Sequence, residues 1–235
     1  MNTVYKKGRF VHNGDRSLLV EYGDSIDIAV NQQVRKITAL LKNHPIEGVN
    51  AVIPAYRSLA IEYDPVKLSI TQLCEHVSRL EKISSQTELP PPRLIEIPVC
   101  YGGEFGPDIA FVAEYHGITI EEVVTLHSSV VYHIFAIGFI PGFCFLGGLN
   151  KRLWVPRLEV PRTSVPAGSV GIAEAQTGVY PLESPAGWRL IGRTPLRLFV
   201  PTREPPFLYQ AGDTIKFVPI SPEEYSHIQH TQEIR

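Results

Sequence analysis

The sequence has little from which to build a disulfide framework, a membrane anchor or a nucleic-acid surface. Its three cysteines, Cys74, Cys100 and Cys144, are odd in number and widely spaced, so neither a set of bridges nor a CxxC metal site is indicated. No apolar run approaches the roughly 18–20 residues that span a bilayer. Residues 1–14 lack the apolar core of a signal peptide. An excess of one charge is missing too. The chain sets 22 Lys and Arg against 24 Asp and Glu, a net charge of −2, which gives no electrostatic reason to expect nucleic acid or an anionic membrane as partner. There is no GxxxxGK(S/T) phosphate loop, no GxGxxG after a strand, no GxSxG elbow and no HExxH. Each absence removes a common enzyme class, while ATP chemistry at a site built from more than one chain stays open. The expected location is the cytoplasm, and no metal site is evident.

What the chain does have is a dense run of Gly and Pro interleaved with aromatics, Arg and hydroxyl or amide side chains. Half of its 18 glycines fall between residues 138 and 195. The run includes Gly138-Phe139-Ile140-Pro141-Gly142-Phe143-Cys144-Phe145, Val165-Pro166-Ala167-Gly168-Ser169-Val170-Gly171, Gln176-Thr177-Gly178-Val179-Tyr180-Pro181 and Gly187-Trp188-Arg189-Leu190-Ile191-Gly192-Arg193-Thr194-Pro195. Backbone of this composition needs turns and close approaches that other residues resist. It suits a β-rich domain whose loops gather around a site.

Upstream the pattern changes. Residues 17–22 read as a strand, and residues 28–42 place Val30, Val34, Ile37 and Leu41 at helical spacing, with Asp24, Ser25 and Asp27 available as caps. Residues 49–56 and 58–63 read as two strands with a tight connection. Ser69 opens a second helix, with Gln72 completing a capping box and Ile70, Leu73, Val77 and Leu80 on one face. Strand, helix, two strands and helix make up most of a ferredoxin-like split βαβ arrangement. A polar stretch and Pro90-Pro91-Pro92 then mark a linker. Beyond it lie a strand at 93–99, helices at 107–114 and 120–127 (the second capped by Thr119 and Glu122) and a buried strand at 130–137. Short strands between turns follow, and residues 226–235 read as a loose polar tail. The expected fold class is α+β, with domains at 1–88 and 89–235.

Within the Gly/Pro run, Val165 to Gly171 offers either a nest of backbone N–H groups for an anion or a tight turn between strands. Arg193 suits a bidentate carboxylate, or a surface ion pair. Gln176 and Thr177 match an amide-like ligand, or satisfy turn backbone. Tyr180 and Trp188 line a pocket or pack in a core. His127-Ser128-Ser129 invites a nucleophile–base reading, with a helix-end histidine as the alternative. Cys144 has no adjacent basic partner and reads as an inert thiol. Asp24, Asp108 and Glu174 lie too far apart in sequence to be paired.

Taken together, Leu126-His127-Ser128, Gly138 to Phe143, Pro161-Arg162, Val165 to Gly171, Gln176-Thr177-Gly178 and Gly187 to Pro195 closely resemble the 5-oxoprolinase B-subunit family, also called KipI-like or allophanate hydrolase subunit 1 proteins. The match is multi-block, in order, and extends over essentially the whole chain. The resemblance implies a small N-terminal ferredoxin-like α/β domain and a C-terminal cyclophilin-like β-barrel. It implies one component of a multi-subunit, ATP-dependent 5-oxoprolinase, opening the 5-oxoproline lactam to L-glutamate and inactive alone. ATP would be shared with partners: a cyclophilin-fold protein like the C component of 5-oxoprolinase and a TIM-barrel protein like its A component. On this reading Arg193, Arg162 and His127 are the candidate catalytic residues. Gln176, Thr177, Tyr180, Trp188, Gly168 and Ser169 are the candidate substrate contacts. The same resemblance admits inhibition of a sensor histidine kinase, or an allophanate hydrolase or urea amidolyase role.

Overall fold

The structure is a computed structural model that describes residues 4–233. The chain divides into two compact units, one ending at Pro91 and the other beginning at Pro92.

The first unit is a four-stranded antiparallel sheet with two helices. Its strands are β1 (Val4–His12), β2 (Ser17–Gly23), β3 (Val49–Pro54) and β4 (Ser58–Tyr63), in the order β1-β2-β4-β3. Both helices have the caps the sequence indicates. Asp27 accepts from the N–H groups of Ala29 and Val30 at the start of α1 (Ile28–Asn43), and Ser69 with Gln72 forms a capping box on α2 (Ile70–Ile83). Leu18, Val20, Leu59 and Ile61 alternate onto one sheet face and bury against Val30, Val34 and Ile37 of α1 and Leu73 and Val77 of α2. Strand β1 goes beyond the expected elements. It is an edge strand, with no described residue fully buried and with Gly8 in its middle, so no apolar alternation in the sequence announces it. Gly8 is needed there: a Cβ would lie 2.6 Å from Val20 Cγ1, and its N–H donates to Glu81 Oε1 at 2.8 Å.

The second unit is a closed barrel of seven strands. They are β5 (Leu94–Tyr101), β6 (Val131–Ile137), β7 (Cys144–Gly147), β9 (Ser169–Ala173), β10 (Gln176–Val179), β12 (Arg189–Arg193) and β13 (Thr214–Pro219), closing in the order β10-β7-β6-β13-β5-β12-β9. Strands β5 and β13 pair in parallel. Asp213 ties their starts together, accepting from the Arg93 and Gln210 backbone N–H groups and from the Arg93 guanidinium. Burial pushes the Asp213 carboxyl upward, but the Arg93 bonds and backbone donors outweigh it and hold it below the usual carboxylate range. Val99, Ile134, Leu146, Val170, Ile172, Ile191 and Phe217 fill the interior.

A two-stranded ribbon, β8 (Arg162–Val165) with β11 (Ser184–Ala186), joins the barrel, as do helices α3 (Ile109–His116) and α4 (Ile120–Ser128). The expected loose tail is instead α5 (Pro222–Glu233) within the described residues. Ser221 and Glu224 exchange bonds across its first turn, Pro222 fits the position after the cap, and Tyr225 buries against Phe105 with ring centroids 4.6 Å apart. Among the described residues, no helix is long and apolar enough to cross a membrane.

Candidate functional site

Two kinds of polar group occupy the barrel. The first kind is fully engaged by the protein. His127, at the end of α4, has no exposed surface and stacks on Phe217, ring centroids 4.6 Å apart. Thr177 Oγ1 donates to the Gly171 carbonyl at 3.0 Å, so at 2.9 Å it accepts from His127 Nε2–H. His127 Nδ1 then accepts from the Tyr101 hydroxyl at 2.8 Å. Every polar atom of this chain of bonds has its partner. Burial lowers the His127 pKa to about 3, so the ring stays neutral. His127 and Thr177 pin α4 to β10 and β5, with no free lone pair facing a ligand.

Arg162 is engaged as firmly. Its two Nη atoms meet both oxygens of Asp108 at 2.9 Å, and Asp108 also accepts from the Leu190 N–H at 2.7 Å. The pair joins β8 to the start of α3 and to β12. Gly168 (φ +84°) makes the tight turn the sequence allowed: a Cβ there would lie 2.2 Å from the Thr194 carbonyl oxygen. Its N–H donates to Tyr180 O, the Ser169 N–H to Pro166 O, and the Ser169 hydroxyl to Pro166 O as well. The Gly168 and Ser169 N–H groups are thus engaged by backbone and form no open nest. Gln176 opens β10, opposite Gly147 and Ala173.

Arg193, at the end of β12, is held differently. Its guanidinium lies over the rings of Phe105 and Tyr225, at 5.0 and 5.6 Å from their centroids, and its Nε is buried without a hydrogen-bond partner among the described residues.

The second kind of polar group lies in an aromatic pocket of about 440 Å³, a volume suited to a small molecule. Phe139, Phe143, Phe145, Tyr180 and Trp188 wall it, and the Phe143 ring meets those of Phe145, Tyr180 and Trp188 edge-on. Phe139 stands 65% exposed in left-handed backbone (φ +71°), a strained conformation for a bulky residue that recurs at functional sites. Arg157 is the only charged residue lining the pocket among those described. Of the residues singled out from sequence, Tyr180 and Trp188 come together here, while Arg162, Arg193, His127 and Thr177 do not line it. Arg157 carried no sequence signal beyond its charge. Cys144 is buried within the barrel, and burial pushes its thiol up to about 11.

The class to which this barrel and its Gly-rich loops belong is that of carboxyltransferase domains: the family model for subdomains C and D of that domain matches residues 9–209. Within that class, the chain is 44% identical over 223 residues to the 5-oxoprolinase B subunit of Bacillus subtilis (strain 168), covering 90% of this chain and 92% of that protein. It is 41% identical over 209 residues to the 5-oxoprolinase B subunit of Escherichia coli O157:H7, covering 88% and 93%. The chain belongs to the 5-oxoprolinase B-subunit family. Among solved structures, the crystal structure of TTHA0988 matches with a TM-score of 0.78 at 36% identity over 88% of this chain, which spans 40% of that longer one.

Proposed function

We infer that this chain is the B subunit of an ATP-dependent 5-oxoprolinase complex, which cleaves 5-oxoproline to L-glutamate, and that it is inactive without its partners. The observation that carries this reading is the 44% identity to a protein of that name across nine-tenths of both chains. The first unit fits a ferredoxin-like layer in which β1 takes the place of the closing strand, and the barrel fits a cyclophilin-like one. Opening the lactam calls for activation of its amide oxygen by phosphorylation, and the charge that develops needs donors held in place. The Gly168 turn does not fit a phosphate, because its N–H groups are engaged by Tyr180 and Pro166. On this reading ATP is bound at surfaces shared with a C-like partner of cyclophilin fold and an A-like partner of TIM-barrel fold. The chain's own part is the aromatic pocket. His127 and Arg162 act as supports, and Arg193 orders the end of β12.

The test is reconstitution. Glutamate release from 5-oxoproline and ATP is measured with this chain alone and with A-like and C-like partners added. Turnover is expected only in the assembled mixture. Robust turnover by the chain alone would remove the claim that it is inactive, and none from the full set would remove the function.

A further inference from the structure

We propose that Arg157 and Tyr180 are the pair that recognises the ring substrate in the aromatic pocket, Arg157 taking the carboxylate and the Tyr180 hydroxyl the lactam oxygen. The assignment rests on the 5-oxoprolinase reading above. Arg157 faces a pocket whose other described lining residues are uncharged. Among the described residues its ion-pair partner is Glu174, with Nε and Oε1 3.6 Å apart, beyond hydrogen-bonding distance. Both side chains are more than half exposed, at 56% and 67%, so the pairing is weak and the guanidinium fork remains free to take a better-aligned carboxylate. Glu174 stands at the β9–β10 turn in left-handed backbone (φ +52°), where its N–H donates to the Val155 carbonyl two residues before Arg157. The hairpin thereby holds Arg157 at the pocket edge.

Tyr180 supplies the second, independent observation. The residue is only 2% exposed and lines the pocket, and its hydroxyl, which no described residue bonds, is not among the sealed-off side-chain atoms, so that oxygen stays open. A hydroxyl that the protein leaves unpaired and open can donate to a ligand. Burial pushes its pKa up to about 12 even with the Arg157 charge pulling the other way, so it stays protonated and available as a donor. The pocket thus offers a cation, a hydroxyl donor and flat apolar walls from Phe143 and Trp188. A small lactam bearing a carboxylate matches each of these in turn: anion, carbonyl acceptor and ring methylenes. Of the other two arginines considered from sequence, Arg162 is bonded to Asp108 and Arg193 lies against Phe105 and Tyr225, and neither lines this pocket.

The experiment is steady-state kinetics of the reconstituted complex with 5-oxo-L-proline, using 2-pyrrolidinone, the same ring without the carboxylate, as a competitor. Arg157→Gln should raise KM by about ten- to a hundredfold with kcat within about threefold, because the lost contact is a charge-assisted bond made equally in ground and transition states. Arg157→Lys should recover part of that loss, and Glu174→Gln should leave KM unchanged or lower it. The inhibition constant of 2-pyrrolidinone should be the same for wild type and Arg157→Gln. An unchanged KM in Arg157→Gln, or an equal loss of affinity for 2-pyrrolidinone, overturns the recognition pair while the 5-oxoprolinase reading stands. A wild-type complex that turns over no 5-oxoproline overturns that reading, and this inference with it.

Discussion

The barrel holds two hydroxyl-bearing regions that differ in one respect. Around His127, the Tyr101 and Thr177 hydroxyls and both ring nitrogens are paired, and the whole network is closed off by Phe217 and Tyr132. In the aromatic pocket, the Tyr180 hydroxyl has no partner among the described residues and Arg157 has only a loose one. Both residues are almost wholly enclosed, at 0% and 2% exposure, but the Thr177 oxygen is buried and bonded on both sides while the Tyr180 oxygen is left open. What separates them is saturation. A buried polar group whose bonds are complete holds the fold, and one that is both unpaired and open to a pocket is available to a ligand. The Arg193 Nε has no partner among the described residues but is buried, beside Phe105 and Tyr225 and away from the aromatic pocket.

The comparison can be broken first at its most heavily bonded member. Asp108 accepts three hydrogen bonds, two from Arg162 and one from the Leu190 N–H. Asp108→Ala should cost about 3 kcal/mol, less than a fully buried pair would because Arg162 is partly exposed, and denaturant unfolding measures it. A loss below about 1 kcal/mol would show that the saturated network does not hold the barrel together.

The next effect is in pH. Burial holds the folded His127 pKa at about 3, against an ordinary 6.5. Below about pH 6.5 the unfolded chain takes up a proton that the folded chain refuses until about pH 3. Stability from this group is therefore fully present above 6.5 and is lost as pH falls toward 3. Between pH 7.5 and 5.5 the wild type should lose about 1.4 kcal/mol that His127→Gln does not lose. Urea unfolding of both proteins at the two pH values checks this, and parallel losses would contradict a neutral, pinned histidine.

These regions were unequally legible in the sequence. Helix caps depend on residues three apart, so Ser69 with Gln72 and Thr119 with Glu122 could be read directly, while Asp27 was one of three candidates beside Asp24 and Ser25. Helix α5 carried the same kind of signal in Ser221-Pro222-Glu223-Glu224, hidden by a polar sequence in which Tyr225 is the one buried anchor among the described residues. Strand β1 was hidden because an edge strand need not alternate. The Gly/Pro run located the pocket, since Tyr180 and Trp188 fall inside it, but their neighbours are set by barrel register. Asp108 and Glu174 looked unrelated to anything because their partners, Arg162 and Arg157, are brought to them only by β8 and by the β9–β10 turn. Arg93 and Asp213 meet across 120 residues for the same reason. Saturation is a property of three-dimensional pairing, and no local pattern encodes it.

The most direct test of that distinction removes one hydroxyl from each region. Thr177→Val and Tyr180→Phe each delete a single oxygen from a buried side chain while nearly conserving its shape. Unfolding free energy and the KM of the reconstituted complex for 5-oxoproline are measured for both. Thr177→Val should lose about 1–3 kcal/mol of stability, because it strands a His127 N–H, and should leave KM near the wild-type value. Tyr180→Phe should leave stability within about 0.5 kcal/mol and raise KM by roughly three- to tenfold. Comparable stability losses in the two variants, or an unchanged KM in Tyr180→Phe, would contradict the division between groups that complete the fold and groups that await a ligand.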